Sequence, residues 1–182
     1  MKTLVIAASA VLLTSIAFAA APSGTATYIP GTEIQRIVAK NPDAPVSDQQ
    51  IRVVGINGDY NVGVGVVHRA KTEKQSVGGS EHDDITEVYH VLSGTGTLVT
   101  GGTLENAKQR PATMEAVKTL TGPSMAGTRI VGGTAHKIGP GDVIVIPPHT
   151  PHTFTEVTSD EIVYLVVRMD PKKVLPTGYV AQ

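Results

Sequence analysis

Two segments of the chain carry side chains of the types that bind transition metals. Residues 80–94 read SEHDDITEVYHVLSG and contain His82 and Glu87, and residues 141–152 read GDVIVIPPHTPH and end on His152. Imidazole nitrogens and a carboxylate oxygen together suit divalent Fe, Mn, Ni, Cu or Zn. Two histidines and one carboxylate also leave coordination positions open, as in non-haem iron oxygenases. Any one of these histidines alone is better explained as a hydrogen-bonded core or surface residue, so the hypothesis depends on both segments together.

The elements that must position these side chains have the period-two pattern of β-strands. Asn57-Gly58-Asp59 and Ser93-Gly94 are turn signals of the hairpin type between such runs. Many short strands at regular spacing, without helical periods between them, predict an all-β barrel or sandwich. The predicted strands are 51–56, 61–69, 86–92, 95–100, 143–146, 152–157 and 162–169.

Both segments resemble the two motifs of the cupin superfamily, in the order in which that family carries them. Six positions match the pattern in residue type and spacing: His82, Glu87, Gly94, Gly141, Pro147 and His152. The resemblance covers roughly residues 55–169. It implies a double-stranded β-helix barrel of the cupin, jelly-roll-like type, one divalent metal ion held by His82, Glu87 and His152, and pairing of two copies into a homodimer.

The departures from the cupin pattern bear on the chemistry. Ser80 stands where the family carries its first histidine, and a serine hydroxyl is a poor metal ligand until it is deprotonated. At Ser80 we therefore expect an open coordination position of the metal ion. The other three ligands remain, and water would complete the site. His149 stands where motif two usually has glycine, and Glu156 where it usually has asparagine. A barrel that has lost its metal remains the alternative.

Three further residues are candidates for the site. His68 shares a strand face with Val62, Val64 and Val66, and it is a possible extra ligand if that face points inward. His149 is a candidate catalytic acid–base or substrate-contact residue, because histidine titrates near neutral pH; otherwise it is a solvated turn residue. Tyr89 shares a face with Glu87 and could hydrogen-bond to a ligand or a carboxylate, although a core tyrosine is the default. His149 and Tyr89 are the predicted catalytic residues.

The chain divides into one folded domain with extensions. Residues 20–50 are predicted to be an N-terminal extension with a short helix over 33–40, capped by Thr32, and a surface linker up to residue 50. The barrel follows over 51–170, and 171–182 form a C-terminal tail. Within the barrel, 101–133 lack periodicity and predict a flexible insertion, with two possible helical turns over 111–118.

Composition limits the functional classes. Net charge is −1 and the basic residues are scattered, which gives no footprint for nucleic acid. The chain contains no cysteine, so a metal must be bound by nitrogen and oxygen atoms. Two classes remain: a metal-dependent enzyme acting on a small organic molecule, such as a dioxygenase, isomerase or decarboxylase, and a non-catalytic barrel that binds a small molecule with or without metal.

The N-terminus has the features of a cleavable signal peptide. Lys2 precedes an apolar run over residues 4–18, and Ala17 and Ala19 supply the small residues that a signal peptidase requires. The run is too short for a comfortable membrane span. We therefore expect residues 1–19 to be removed and the protein to be secreted or periplasmic, with no membrane association after processing.

Cleavage after Ala19 is a direct prediction, because cleavage after Ala21 would leave Pro22 at the new N-terminus. The intact mass of protein recovered from the exported fraction should correspond to a chain that begins at Ala20. A mass that still includes residues 1–19 would contradict the prediction.

Overall fold

The computed structural model describes residues 24–41, 43–73 and 78–182; the predicted signal peptide lies outside these residues. One α-helix precedes a series of antiparallel strands. The elements are α1 (Gly31–Val38), β1 (Val46–Ile56), β2 (Tyr60–Thr72), β3 (Gly79–His82), β4 (Thr86–Ser93), β5 (Gly96–Thr100), β6 (Thr103–Glu105), β7 (Lys108–Gln109), a π-helical turn (Val117–Thr121), β8 (Ser124–Gly127), β9 (Arg129–Val131), β10 (Thr134–Ile138), β11 (Val143–Ile146) and β12 (His152–Asp170).

The long strand β12 belongs to both halves of the barrel. Its first part pairs with β5 and β3, which continue outward to β10 on one side and to β8 and β7 on the other. Its second part pairs with β2 and β4, which continue to β1 and β11. The register shifts between Val157 and Glu161, where the strand passes from one half to the other. This is the predicted all-β, jelly-roll-like barrel with a short N-terminal helix.

The barrel interior is filled by apolar side chains, and α1 covers one outer face. The interior cluster contains Val67, Tyr89, Val91, Leu98, Ile138, Ile146, Phe154, Val157, Ile162, Tyr164 and Val166. On the opposite face of β2 and β12, Val66 and Val163 pack with Ile51 and with Ile37 of α1. None of the helices that the structure describes has both the length and the apolar character needed to cross a membrane.

The observed strands extend the predicted ones. Residues 152–157 and 162–169 were predicted as two strands but form the single strand β12, because each part finds its own partners. The predicted surface linker is partly wrong, since β1 begins at Val46 and pairs with β2 from its first residue. The helix begins at Gly31, after an N-cap at Pro30 and not at Thr32.

The 101–133 segment contains short strands that the sequence pattern did not predict. β6 pairs with β9, and β7 pairs with β8, which adds to the barrel through β3. Strands of two to four residues are too short to give a recognisable alternation. The helical residues fall over 115–121, later than the predicted 111–118. The flexibility of this segment stays a prediction.

His149 occupies a backbone conformation that favours glycine. Its φ is 56°, in the left-handed region, within the turn that joins β11 to β12. Its amide nitrogen donates to the carbonyl oxygen of His82 at 2.8 Å, so the turn is fastened to the end of β3. Glycine adopts this region freely, whereas a side chain there costs on the order of 1 kcal/mol or more.

Two substitutions separate the strain at His149 from any role of its side chain. His149→Gly should raise the free energy of unfolding by about 1 kcal/mol, because glycine adopts a positive φ without the Cβ penalty. His149→Ala removes the same imidazole but keeps a Cβ, so it should show no such gain. Urea unfolding of both variants tests this, and equal stability of the two variants would contradict the strain argument.

Candidate metal centre

The structure brings His82, Glu87 and His152 together inside the barrel. His82 ends β3, Glu87 is the second residue of β4, and His152 begins β12. One potential ligand atom from each residue lies within 4.8 Å of the other two. All three side chains are buried, and Glu87 is only 2% exposed. The structure thus assembles in one place the three residues that the sequence analysis proposed as ligands.

The distances within this cluster suit a shared cation better than direct hydrogen bonds. Glu87 Oε2 lies 3.5 Å from His82 Nε2 and 3.4 Å from His152 Nε2. Nitrogen-to-oxygen hydrogen bonds in proteins span about 2.7 to 3.2 Å. Two atoms that each bind one ion at about 2.1 Å lie roughly 3 to 3.5 Å apart in octahedral or tetrahedral geometry. The donor set and its spacing therefore fit a divalent transition metal.

A backbone contact selects the tautomer of His152 that a metal requires. His152 Nδ1 lies 3.0 Å from the carbonyl oxygen of Thr150, which can only accept a hydrogen bond. Nδ1 therefore carries the proton, and in the neutral ring Nε2 keeps its lone pair facing Glu87. Burial lowers the pKa of His152 below its usual value, which favours this neutral ring. The Nδ1 atom of His82 is buried and has no partner among the described residues.

Arg168 fixes the orientation of the Glu87 carboxylate. Arg168 Nε donates to Glu87 Oε1 at 3.0 Å, which leaves Oε2 turned toward the two histidines. The guanidinium is 1% exposed and also donates to Gln50 Oε1 at 2.9 Å and to Asp48 Oδ2 at 2.6 Å. Burial opposes the charge of Arg168, but the Asp48 and Glu87 carboxylates outweigh it and raise the arginine pKa.

Two glycines in β2 provide the space for this buried guanidinium. A Cβ atom on Gly65 would lie 2.9 Å from Arg168 Nη1, and one on Gly63 would lie 3.3 Å from Arg168 Cβ. Glycine within a strand often marks such a close approach. The alternation Gly63-Val64-Gly65 therefore leaves room inside the barrel for Arg168 to reach Glu87.

Tyr89 contacts the same carboxylate oxygen that faces the histidines. Its hydroxyl donates to Glu87 Oε2 at 2.8 Å. Burial and the Glu87 charge raise the pKa of Tyr89 well above its usual value, so the hydroxyl keeps its proton at neutral pH. Burial alone would raise the pKa of Glu87, but contacts with His82, Arg168 and His152 outweigh it and lower that pKa. Glu87 is consequently an anion at neutral pH.

The other candidate residues lie in different surroundings. Ser80 is on the same face of β3 as His82 and pairs in register with His152, and its hydroxyl accepts a hydrogen bond from Arg110 Nη2 at 2.8 Å. The prediction of His68 as an extra ligand is wrong. The face of β2 that carries His68 packs toward α1, and its Nε2 contacts Glu161 Oε2 at 2.9 Å. His149 is exposed in its turn, and its catalytic role stays a prediction.

Sequence reasoning found Tyr89 beside Glu87 but missed Arg168, which orients the carboxylate, and the two residues that bind Arg168. A charged Arg168 directly after the apolar run 162–167 was a usable signal, because it shares the inward face of Tyr164 and Val166. A buried guanidinium requires a carboxylate partner. Nothing in the local pattern identifies Asp48 or Gln50, which belong to the segment predicted as a linker.

Comparisons with known proteins give one partial family match and several solved structures of low sequence identity. Residues 127–177 match a sequence profile described as an AraC-like ligand binding domain. Solved structures similar to the chain include a cupin protein from Bacteroides fragilis (16% identity, TM-score 0.38, 66% of this chain and 78% of that one). They also include a protein from Bacillus halodurans (13%, 0.45, 87% and 90%) and the DMSP lyase DddQ from Ruegeria pomeroyi (15%, 0.41, 75% and 52%).

The chain spans about half the length of several matched structures, including the lyase. No curated protein matches it in sequence. The resemblance to the cupin superfamily rests on features of this chain: β3 and β4 carry the first motif, β11 and β12 carry the second, and the two motifs pair across one antiparallel barrel. In fold and in the positions of both motifs the chain therefore resembles cupin proteins.

Proposed function

We propose that the protein is an exported metal-dependent enzyme that acts on a small organic molecule inside the cupin barrel. The observation that carries the proposal is the convergence of His82, Glu87 and His152 on one buried point, with ligand atoms within 4.8 Å of one another. Three protein ligands leave coordination positions for water or substrate, which distinguishes catalytic from closed structural sites. A bound divalent ion would supply Lewis-acid or redox chemistry there.

The chain's own residues would bind, orient and hold protons around that ion. Arg168 keeps the Glu87 carboxylate ionised and directs Oε2 toward the histidines. Thr150 keeps the proton of His152 on Nδ1 and so leaves Nε2 free to bind. The Tyr89 hydroxyl oxygen lies 2.8 Å from Glu87 Oε2 and keeps its proton, which would turn from Glu87 to a substrate oxygen that arrives beside the carboxylate.

A non-catalytic barrel that binds a small molecule is the second candidate. The match of residues 127–177 to an AraC-like ligand binding domain favours it, because that profile describes binding. Metal content separates the two functions. Iron, manganese or copper at near-full occupancy in protein purified from its native host supports the enzyme, whereas zinc at low occupancy or no metal supports the binding barrel.

Export and self-association are parts of the same proposal that rest on other features. Export is inferred from the apolar run 4–18 and the small residues Ala17 and Ala19. Homodimer formation is inferred from the cupin resemblance. A mature, processed protein with one metal site in each copy is therefore expected.

Metal affinity tests the proposed ligands directly. The mature protein should bind one equivalent of Zn²⁺ or Mn²⁺ in a titration against a competing chelator. His82→Ala or His152→Ala should each weaken binding by more than about 100-fold, since loss of a ligand exceeds the roughly 10- to 100-fold effect of residues that only orient ligands. Ser80→His should tighten binding, because it offers a further nitrogen two residues from His82 on the same strand face.

His90→Ala is the matched control for these variants. His90 lies on β4 three residues after Glu87 but is exposed on the outside of the barrel, so its loss should leave metal affinity unchanged. Each variant is checked for folding by circular dichroism. Folded His82→Ala and His152→Ala proteins that bind metal as tightly as the parent would refute the site.

A further inference from the structure

Arg110 reaches from the 101–133 segment into the neighbourhood of the metal centre. Its backbone nitrogen donates to the carbonyl oxygen of Ser124 at 2.8 Å, which continues the pairing of β7 with β8. β8 in turn pairs with β3, where His82 lies opposite Ser124. Residues opposite one another on paired strands project from the same face of a sheet. Arg110 therefore shares the face that carries His82.

The guanidinium of Arg110 is short of an anionic partner. It donates from Nη2 to Ser80 Oγ at 2.8 Å, and within residues 24–41, 43–73 and 78–182 it forms no ion pair. Among the described residues Arg52, Arg129 and Arg168 each pair with a carboxylate, whereas Arg36 and Arg69 donate to a backbone carbonyl and to a tyrosine hydroxyl. A guanidinium offers five N–H donors, and one hydroxyl uses only one of them. Arg110 is also partly buried. Its guanidinium therefore loses part of its hydration shell, and no carboxylate of the described residues neutralises its charge.

We propose that Arg110 and Ser80 form a carboxylate-binding subsite, which makes the substrate of this barrel a small organic acid. The planar fork of an arginine matches the two oxygens of a carboxylate, and the resulting pair is stronger than a neutral hydrogen bond. Ser80 pairs in register with His152 and lies two residues from His82. An acid held by Arg110 would therefore lie beside the open side of the His82–Glu87–His152 centre.

A carboxylate is favoured over a phosphate by the number of donors. One guanidinium and one hydroxyl match the two oxygens and single charge of a carboxylate. A phosphate carries more charge and more acceptor oxygens, and proteins usually surround it with several donors or a helix N-terminus. The inference extends the proposed function to a substrate class, but anion binding to Arg110 does not itself require the metal.

The test follows the Arg110 side chain by nuclear magnetic resonance. Mature protein labelled with ¹⁵N-arginine is titrated with propionate and, separately, with its uncharged isostere propionamide, first metal-free and then with Zn²⁺. The Arg110 Nε–H signal is identified by its loss in Arg110→Lys. It should shift saturably with propionate and not with propionamide. Arg110→Met should weaken propionate binding at least tenfold, as followed by the signals of nearby backbone amides.

Arg129→Met is the matched control. Arg129 lies in the same segment and carries the same charge, but it pairs with Glu105 at the surface and makes no contact with Ser80. Its loss should leave propionate binding unchanged. The alternative is that Arg110 only stabilises the packing of the 101–133 segment on β3. In that case Arg110→Met lowers the free energy of unfolding, and the Arg110 signal of the parent protein does not respond to propionate. That result overturns the inference. Tighter binding of inorganic phosphate than of propionate overturns the carboxylate assignment.

These experiments distinguish failure of the metal centre from failure of the carboxylate-binding subsite. Metal binding without any propionate response at Arg110, with or without Zn²⁺, refutes the subsite and leaves the metal centre standing. A propionate response in protein that binds no metal refutes the metal centre and supports the subsite.

Discussion

Arg168 and Glu87 lie opposite one another on β12 and β4, and their buried contact constrains much of the surrounding structure. A buried carboxylate and guanidinium are tolerated only with good geometry and with their remaining polar atoms bonded, and loss of one partner costs about 3–5 kcal/mol. The barrel meets this requirement with Asp48 and Gln50 from β1. Gly63 and Gly65 of β2 leave the space that the Arg168 side chain occupies. The pair thus connects the sheet geometry to the orientation of the Glu87 oxygen that faces the two histidines.

The same arrangement gives the two oxygens of the Glu87 carboxylate different surroundings. Glu87 Oε1 accepts a hydrogen bond from Arg168. Glu87 Oε2 accepts one from Tyr89 and faces His82 and His152. The side toward Ser80 carries a small hydroxyl and an arginine that belongs to the 101–133 segment. This segment therefore adds charge beside the centre, in addition to extending the sheet through β8.

The sequence predicted the fold class and the three clustered residues because both depend on local spacing. Period two places Tyr89 with Glu87 and turns His90 outward, as the structure has it. The same rule could not decide which face of β2 points inward, and for that reason His68 remained a possible ligand, although its face packs toward α1. The contact of Arg168 with Glu87 joins residues 81 positions apart, and the strands of the 101–133 segment are defined by pairing partners, not by alternation. Such contacts arise from tertiary structure and leave little local signal.

The central claim is that one divalent ion is bound by two imidazoles and one carboxylate inside this barrel. X-ray absorption spectroscopy of the mature protein loaded with one equivalent of Zn²⁺ tests it most directly. Nitrogen and oxygen atoms are expected at about 2.0–2.2 Å from the zinc, with the scattering pattern of two imidazole rings, which should fall to one ring in a His152→Ala protein reloaded with metal. An all-oxygen environment without imidazole scattering, or an unchanged pattern in the variant, would contradict it.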